Sequence, residues 1–361
     1  MTTDSDASHA WQGSGTATLV NTVLDTFLAD KMRQARSAGL PLEVGEVLGR
    51  YLGAGGKRLR PRLCLAGYRA AGGLPALQDE AVRVAASLEL FHAFALIHDD
   101  ILDQSSLRRG QPTVHCRLTA RHARSRARDA DWLGISQAIL VGDMAFAWAD
   151  ELLFAETCAK PCLNQLRQIV QAMREEVLYG QYLDLLNPLG PADDLDAARR
   201  VIRYKTAKYT VERPLHIGAV LAGADEAFCA ALSCYALPLG EAFQLRDDLL
   251  GVFGEPHHTG KSTLDDLREG KHTMLLALAH QRAAADQSRE LTTLVGNPDL
   301  DEQAADHIRS ILDATGARAT VEDTIDELAS QARLALQHVE KHGAPVQELH
   351  ALIAIATDRA S

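Results

Sequence analysis

Two acidic clusters carry the chemistry this sequence can do: Asp99-Asp100-Ile101-Leu102-Asp103, followed by Arg108-Arg109, and Gln244-Leu245-Arg246-Asp247-Asp248. Asp99 and Asp103 are four residues apart, so on a helix of 3.6 residues per turn their carboxylates share one face. Such a pair suits a hard divalent cation, and the arginines just downstream make Mg2+ with a polyanion, such as a diphosphate, the economical partner set. Leu88, Leu90, Phe91, Ala93, Phe94, Ala95, Leu96 and Ile97 precede the first cluster as a nearly unbroken apolar wall. Carboxylates at the mouth of an apolar cavity describe a ligand with an ionic head and a greasy tail.

Other charged residues extend this pattern. Gly55-Gly56-Lys57-Arg58-Leu59-Arg60-Pro61 places three cations after flexible glycines at a helix start, a favourable site for an anion. His92 lies seven residues before Asp99, two turns back on nearly the same face. Gly254 to Ser262 looks like a phosphate loop but is not one, because five residues separate its glycines where that motif needs four, and helical patterns flank it. Lys261 and Lys271 remain candidates to reach phosphate as point charges. His257 and His258 are adjacent and share no helical face, so no zinc site is expected.

The 361 residues are 47% apolar and carry a formal net charge of −11, enough for a large core and opposed to nucleic-acid binding. One basic run, Arg117 to Arg128, reads as a solvated face. Six scattered cysteines without CxxC spacing read as reduced thiols. The acidic, polar N-terminus lacks the pattern of a signal peptide, and no uninterrupted apolar run has membrane-spanning length. A cytoplasmic protein with no integral membrane part is expected, with residues 1–16 as a disordered tail and 17–361 as one domain.

Helical periodicity recurs nearly everywhere, and strand patterns are hard to find. The spacing predicts helices from Leu19 to Gly39, 43–52, 61–72, 79–103, 135–154, 161–186, 196–221 with a kink at Pro214, and 226–253. Further helices are expected near 271–285, 301–315, 320–342 and 346–359. The predicted fold is all-α, a single-domain helical bundle around a central apolar cavity.

With these residues assembled, the chain resembles the trans-isoprenyl diphosphate synthases, the polyprenyl synthetase family, and most of all geranylgeranyl diphosphate synthases. The resemblance rests on motifs in order: Gly-Gly-Lys-Arg at 55–58, Glu89 with His92, Asp-Asp-x-x-Asp at 99–103, Arg-Arg-Gly at 108–110, Lys205-Thr206, and Phe243-Gln244 with Asp247-Asp248. It implies an isoprenoid-synthase-type bundle, usually a homodimer, that condenses isopentenyl diphosphate with dimethylallyl, geranyl or farnesyl diphosphate. Three Mg2+ ions are implied per site, with Mn2+ able to substitute. Asp99 and Asp103, with Asp100 beside them, would hold two ions, and Asp247 supported by Asp248 the third. Arg108, Lys205 and Lys261 would contact the allylic diphosphate. Lys57, Arg58, Arg60, His92 and Arg109 would bind isopentenyl diphosphate, Thr206 and Gln244 would face the developing cation, and Lys271 would close over the phosphates.

The second motif departs from the family pattern, with Gly251 where its last carboxylate would stand. A weaker outer shell for the third ion follows, for which Asp265 and Asp266 are candidates to compensate. The growing chain is expected to run back along the apolar wall, where Phe94 would form a floor and the small Ala95 leave space beside it. Together with a first motif that has no two-residue insertion, this points to geranylgeranyl diphosphate, with farnesyl diphosphate the nearest competitor. A class I terpene cyclase would have no use for the Gly-Gly-Lys-Arg site or the second Asp-Asp pair. A non-catalytic subunit of a heteromeric synthase would be expected to lose the aspartates.

Overall fold

The computed structural model describes residues 14–124, 129–155, 162–254, 264–340 and 345–357. The described residues are helical apart from one two-stranded hairpin and short connections. Packing gathers the described residues into two compact units, one within Met1–Leu166 and Ile217–Gly223, the other within Arg167–His216 and Ala224–Ser361.

In the first unit, α1 (Ser14–Ser37), α2 (Glu43–Gly53) and α3 (Leu59–Ala70) precede α4 (Gln78–Leu102). The hairpin β1 (Leu107–Arg108) and β2 (Gln111–Pro112), α5 (Val114–Arg124) and α6 (Ala130–Phe154) follow. The apolar pattern of α4 runs round the helix, and Val82, Val84, Ala85, Leu88, Leu90, Phe91 and Ile97 are buried, where α3 and α6 pack on it. Gly134 lets α5 approach α6, since a Cβ there would lie 2.8 Å from the Thr119 Cα. The Phe94 ring packs on Phe91 at 5.3 Å, Phe146 at 5.2 Å and His98 at 4.7 Å between centroids, which fixes it at the base of the last turns of α4.

The second unit takes in α7 (Leu163–Leu186) from Arg167 onward and α8 (Leu195–Val201), then a π-wound stretch, Ile202–Glu212, that leads into α9 (Arg213–Leu221). Next come α10 (Glu226–Phe253), α11 (Asp265–Glu269), α12 (Met274–Arg282), α13 (Ala285–Leu294), α14 (Glu302–Ala314), α15 (Ala317–Glu340) and α16 (Gln347–Thr357). Its core sets Leu245, Leu249 and Val252 of α10 among Leu275, Leu291, Ile308, Val321 and Ile325. Asp225 caps α10, its Oδ1 accepting from Phe228 N at 2.8 Å, and Asp194 caps α8 in the same way.

One expectation changes. The kink foreseen at Pro214 is instead a π winding upstream of it, in which Arg213 N donates to Lys208 O, five residues back. Part of the Arg117–Arg128 run is the amphipathic helix α5, which exposes Arg121 and buries Leu118, while residues 125–128 lie outside the described residues. Three segments, Pro75–Leu102, Ala130–Phe154 and Glu226–Phe253, are long and apolar enough to cross a membrane by length and composition, although charged residues such as Glu89, Asp143 and Glu241 interrupt them. In the first of these, 72% of the apolar window is covered by the fold, whereas Ala130–Phe154 has 33% covered.

Candidate active site

The first acidic cluster sits at the C-terminal end of α4. Asp103 N donates to Asp99 O at 2.8 Å, so helical geometry carries through and the two half-buried side chains stand one turn apart on one face. Arg108 reaches them by a local device. Arg109 (φ 52°) and Gly110 (φ 70°) form a two-residue turn with both φ angles positive, which pairs Arg108 with Gln111. Arg108 Nε then donates to Asp100 Oδ1 at 2.6 Å and its Nη2 to Asp99 Oδ2 at 3.2 Å. Burial opposes the charge on Arg108, but Asp100, Tyr51 and Asp99 outweigh it and hold the guanidinium more firmly protonated than usual. Asp100 is 1% exposed, so its carboxylate aims Arg108, a different part from the metal ligation assigned to it above.

A second set in the same unit is rich in basic side chains. Arg109 Nη1 donates to Gly55 O, and its guanidinium lies over Gly56, where a Cβ would be 3.0 Å from Nη1. Two motifs 53 residues apart are thereby joined. Lys57 in the same loop is exposed, and Arg60 is half-buried. His92 is kept neutral, its pKa driven well below the usual imidazole value by burial first and then by Arg60, Arg109, Arg108 and Arg58. A neutral imidazole among guanidinium groups can donate one hydrogen bond to an anion without adding charge.

Arg58 leaves the substrate-binding set. Its side chain is 5% exposed and bridges to the equally buried Glu89 at 2.9 Å, with further bonds to Asn21 Oδ1 at 3.0 Å and Leu52 O at 2.6 Å. Arg58 also holds a left-handed backbone conformation, φ 47°, at the start of α3, and the ion pair stabilises that turn. Glu89→Gln is expected to lower unfolding free energy by about 3 kcal/mol, because one member of a buried pair loses its counter-charge. Denaturant titration with an unchanged midpoint would refute this.

The second unit holds the other acidic cluster. Lys205 and Thr206 lie on the π-wound stretch, where helices approach closely. A Cβ on Gly180 would come within 2.6 Å of Lys205 Cα, and one on Gly240 within 2.5 Å of Ala207 Cα. Lys205 Nζ pairs with Asp184 Oδ2 at 2.6 Å. Thr206 Oγ1 donates to Gln244 Oε1 at 2.6 Å, and Gln244 Nε2 to Asp248 Oδ1 at 2.8 Å. Asp247 is half-buried beside Asp248. Lys271 pairs with Glu269 at 2.9 Å, and Lys261 lies outside the described residues, as do His257 and His258.

Asp248 is pushed up to about 7, by burial first and then by Asp266, Asp247 and Asp184 against the Gln244 hydrogen bond. A carboxyl with a folded-state pKa above its unfolded one favours folding while protonated, so its contribution falls as pH rises from about 4 to about 7. The metal-free melting temperature is therefore expected to drop between pH 5 and pH 8, and the drop to shrink in Asp248→Asn. Thermal unfolding at the two pH values checks this, and an identical drop in the variant would contradict it.

Sequence reasoning missed two partners. Asp184 is recognisable only through its contact with Lys205, which is 21 residues away. Tyr51 Oη is buried with no hydrogen-bond partner among the described residues, and burial raises its pKa well above the phenol value, with Arg108, Asp100, Arg109 and Asp99 all acting on it. Its place six residues before Lys57 was the available signal.

Among the described residues, no three His, Cys, Asp or Glu side chains converge as a ready-made metal cage. Mg2+ does not need one, since it keeps waters and takes one or two carboxylates with substrate phosphates. Asp99 with Asp103, and Asp247 amid like charges that a cation would relieve, are all-oxygen sets that fit it.

Residues 42–313 match the polyprenyl synthetase family. A geranylfarnesyl diphosphate synthase of Aeropyrum pernix is 35% identical over 82% of this chain and 87% of its own. A farnesyl diphosphate synthase of Mycobacterium bovis is 35% identical over 61% of this chain and 55% of its own. Among solved structures, a geranylgeranyl pyrophosphate synthase of Corynebacterium glutamicum, complexed with isoprenyl diphosphate and magnesium, is 37% identical. It superposes with a TM-score of 0.90 over 96% of this chain and 99% of its own. With the acidic clusters, the Gly-Gly-Lys-Arg loop and Lys205-Thr206 on an all-α fold, these matches establish that the chain belongs to the polyprenyl synthetase family, whose members are trans-prenyltransferases.

Proposed function

We propose that this trans-prenyltransferase condenses isopentenyl diphosphate with dimethylallyl, geranyl or farnesyl diphosphate to give all-trans geranylgeranyl diphosphate, in a reaction dependent on Mg2+. The observation that carries this reading is the pair of anion-binding sets in the first unit. One joins carboxylates to an arginine (Asp99 and Asp100 on Arg108, with Asp103 one turn from Asp99), and the other gathers basic side chains (Lys57, Arg60, Arg109) about the neutral His92. Two substrates, each with a diphosphate, require two such sets, whereas a cyclase with one substrate requires only the first.

Bound Mg2+, three ions with Mn2+ able to replace them, would neutralise the departing diphosphate. Asp99, Asp103 and Asp247 would hold these ions, and Arg108, Lys205 and Lys261 would stabilise the same anion as the allylic C–O bond breaks. Lys57, Arg60, His92 and Arg109 would orient isopentenyl diphosphate so that its double bond attacks the allylic carbon. Thr206 Oγ1 and Gln244 Oε1 would present their oxygen dipoles to the positive charge, with Gln244 held by Asp248. The released diphosphate would accept the proton that restores the double bond, so no side chain of high basicity is required. Lys271 would close over the phosphates.

The homodimer implied by the resemblance is supported by α6, which exposes Leu133, Leu140 and Met144 along one face, with Trp132 68% exposed beside them. Release of inorganic diphosphate on mixing protein, Mg2+, isopentenyl diphosphate and geranyl diphosphate, with each component omitted in turn, tests the reaction class. Release without isopentenyl diphosphate at an undiminished rate would refute a condensation.

A further inference from the structure

The second acidic motif lacks its last carboxylate, but the space that carboxylate would start from is not empty. A Cβ built on Gly251 would overlap Asp266 Oδ2, and would lie 2.8 Å from the Asp266 Cγ and 3.5 Å from its Cβ. Asp266 comes from α11, which packs on α10. Asp247 and Gly251 are one turn apart on α10, so whatever fills the side-chain volume of Gly251 stands on the metal-binding face beside Asp247. A carboxylate that only needed water would not be packed on a helix backbone beside the acidic Asp247-Asp248 pair, where like charges repel.

We propose, on the functional reading above, that Asp266 replaces the carboxylate missing at position 251 and positions the water shell of the cation held by Asp247. It acts through water, since Mg2+ takes one or two carboxylates directly and keeps several waters that a neighbouring carboxylate can hold. Gly251 and Asp266 are then two halves of one device: the glycine is what admits the carboxylate. Gly251→Asp, which would restore the family pattern on paper, instead drives a side chain and a second negative charge into Asp266.

Full-length protein titrated with Mg2+ in the presence of inorganic pyrophosphate, followed by calorimetry and by thermal unfolding with and without the metal, tests this. Asp266→Asn should raise the Mg2+ concentration for half-saturation by about tenfold or more. Its metal-free melting temperature should hold or rise, because a repelling charge has gone. Gly251→Asp should weaken Mg2+ binding at least as much, and Gly251→Asp with Asp266→Gly should recover it to within about threefold, since the carboxylate has only changed its point of attachment. Wild-type Mg2+ affinity in Asp266→Asn would overturn the proposal, as would a fall in its metal-free melting temperature with affinity unchanged. A folded double variant without recovery would also overturn it. A wild-type protein that takes up no Mg2+ with pyrophosphate would bring down the functional reading itself, and the proposal with it.

Discussion

Asp99→Ala is expected to lower kcat/KM by about a thousandfold, which is roughly 4 kcal/mol of transition-state stabilisation. The reason lies in what the residue does at the end of α4. Asp99 and Asp103 are the two carboxylates one turn apart on an accessible face, while Asp100 is turned inward to Arg108. With Asp99 gone, Asp100 Oδ1 still holds Arg108 Nε at 2.6 Å, so the loss falls on metal binding and not on the arginine. Stability should change by less than about 1 kcal/mol, because the lost pair with Arg108 Nη2 is long at 3.2 Å and partly solvated. Steady-state kinetics across a Mg2+ series would check this. A variant within tenfold of wild type would remove Asp99 from the reaction.

Phe94→Ala should lengthen the main product by at least one five-carbon unit. The residue lies five positions before Asp99, about 7.5 Å along the axis of α4 at 1.5 Å per residue. Its ring does not swing freely, being packed against Phe91, Phe146 and His98 at 5.3, 5.2 and 4.7 Å. Alanine would open a space bounded by Phe146 and His98, and a growing chain gains burial for each methylene placed there. The ring is half-buried, so the stability cost should fall below the 3 to 5 kcal/mol typical of a fully buried phenylalanine. Chromatography of dephosphorylated products would decide, and an unchanged distribution would remove Phe94 as the ruler. Relatives named for farnesyl, geranylgeranyl and geranylfarnesyl products all match this chain, so chain length must be argued from this side chain and not from kinship.

Long helices were legible where the pattern and its punctuation agreed. Helix α10 runs Glu226–Phe253, as the spacing predicts, because Asp225 caps one end and Gly254 follows the other. Helix α4 differs by one residue at each end from the predicted 79–103. The π winding at Ile202–Glu212 was not legible, and it coincides with close packing at Gly180 and Gly240, which lie on other helices. Helix α5 was masked by its arginines, because charge along a helix looks the same as charge along a loop.

The candidate site shows the same division. Residue types and order identified the aspartates, the glycine loop and the arginine pair. The sequence could not sort neighbours of the same charge: Arg58 pairs inward with Glu89 while Lys57, the residue before it, is exposed. Nor could it show that Asp184 lies against Lys205, and although it marked Asp265 and Asp266 as candidates, it could not show that the Asp266 carboxylate lies where a side chain on Gly251 would start. These are contacts between distant segments, and only the packed helices bring them together.

The most direct measurement of the central claim is product identification. Purified protein would be incubated with Mg2+, isopentenyl diphosphate and, in separate reactions, dimethylallyl, geranyl and farnesyl diphosphates, and dephosphorylated products analysed by gas chromatography and mass spectrometry. Geranylgeraniol from all three starters is the expected result. No elongation from any starter, or a cyclic hydrocarbon from a single substrate, would contradict it.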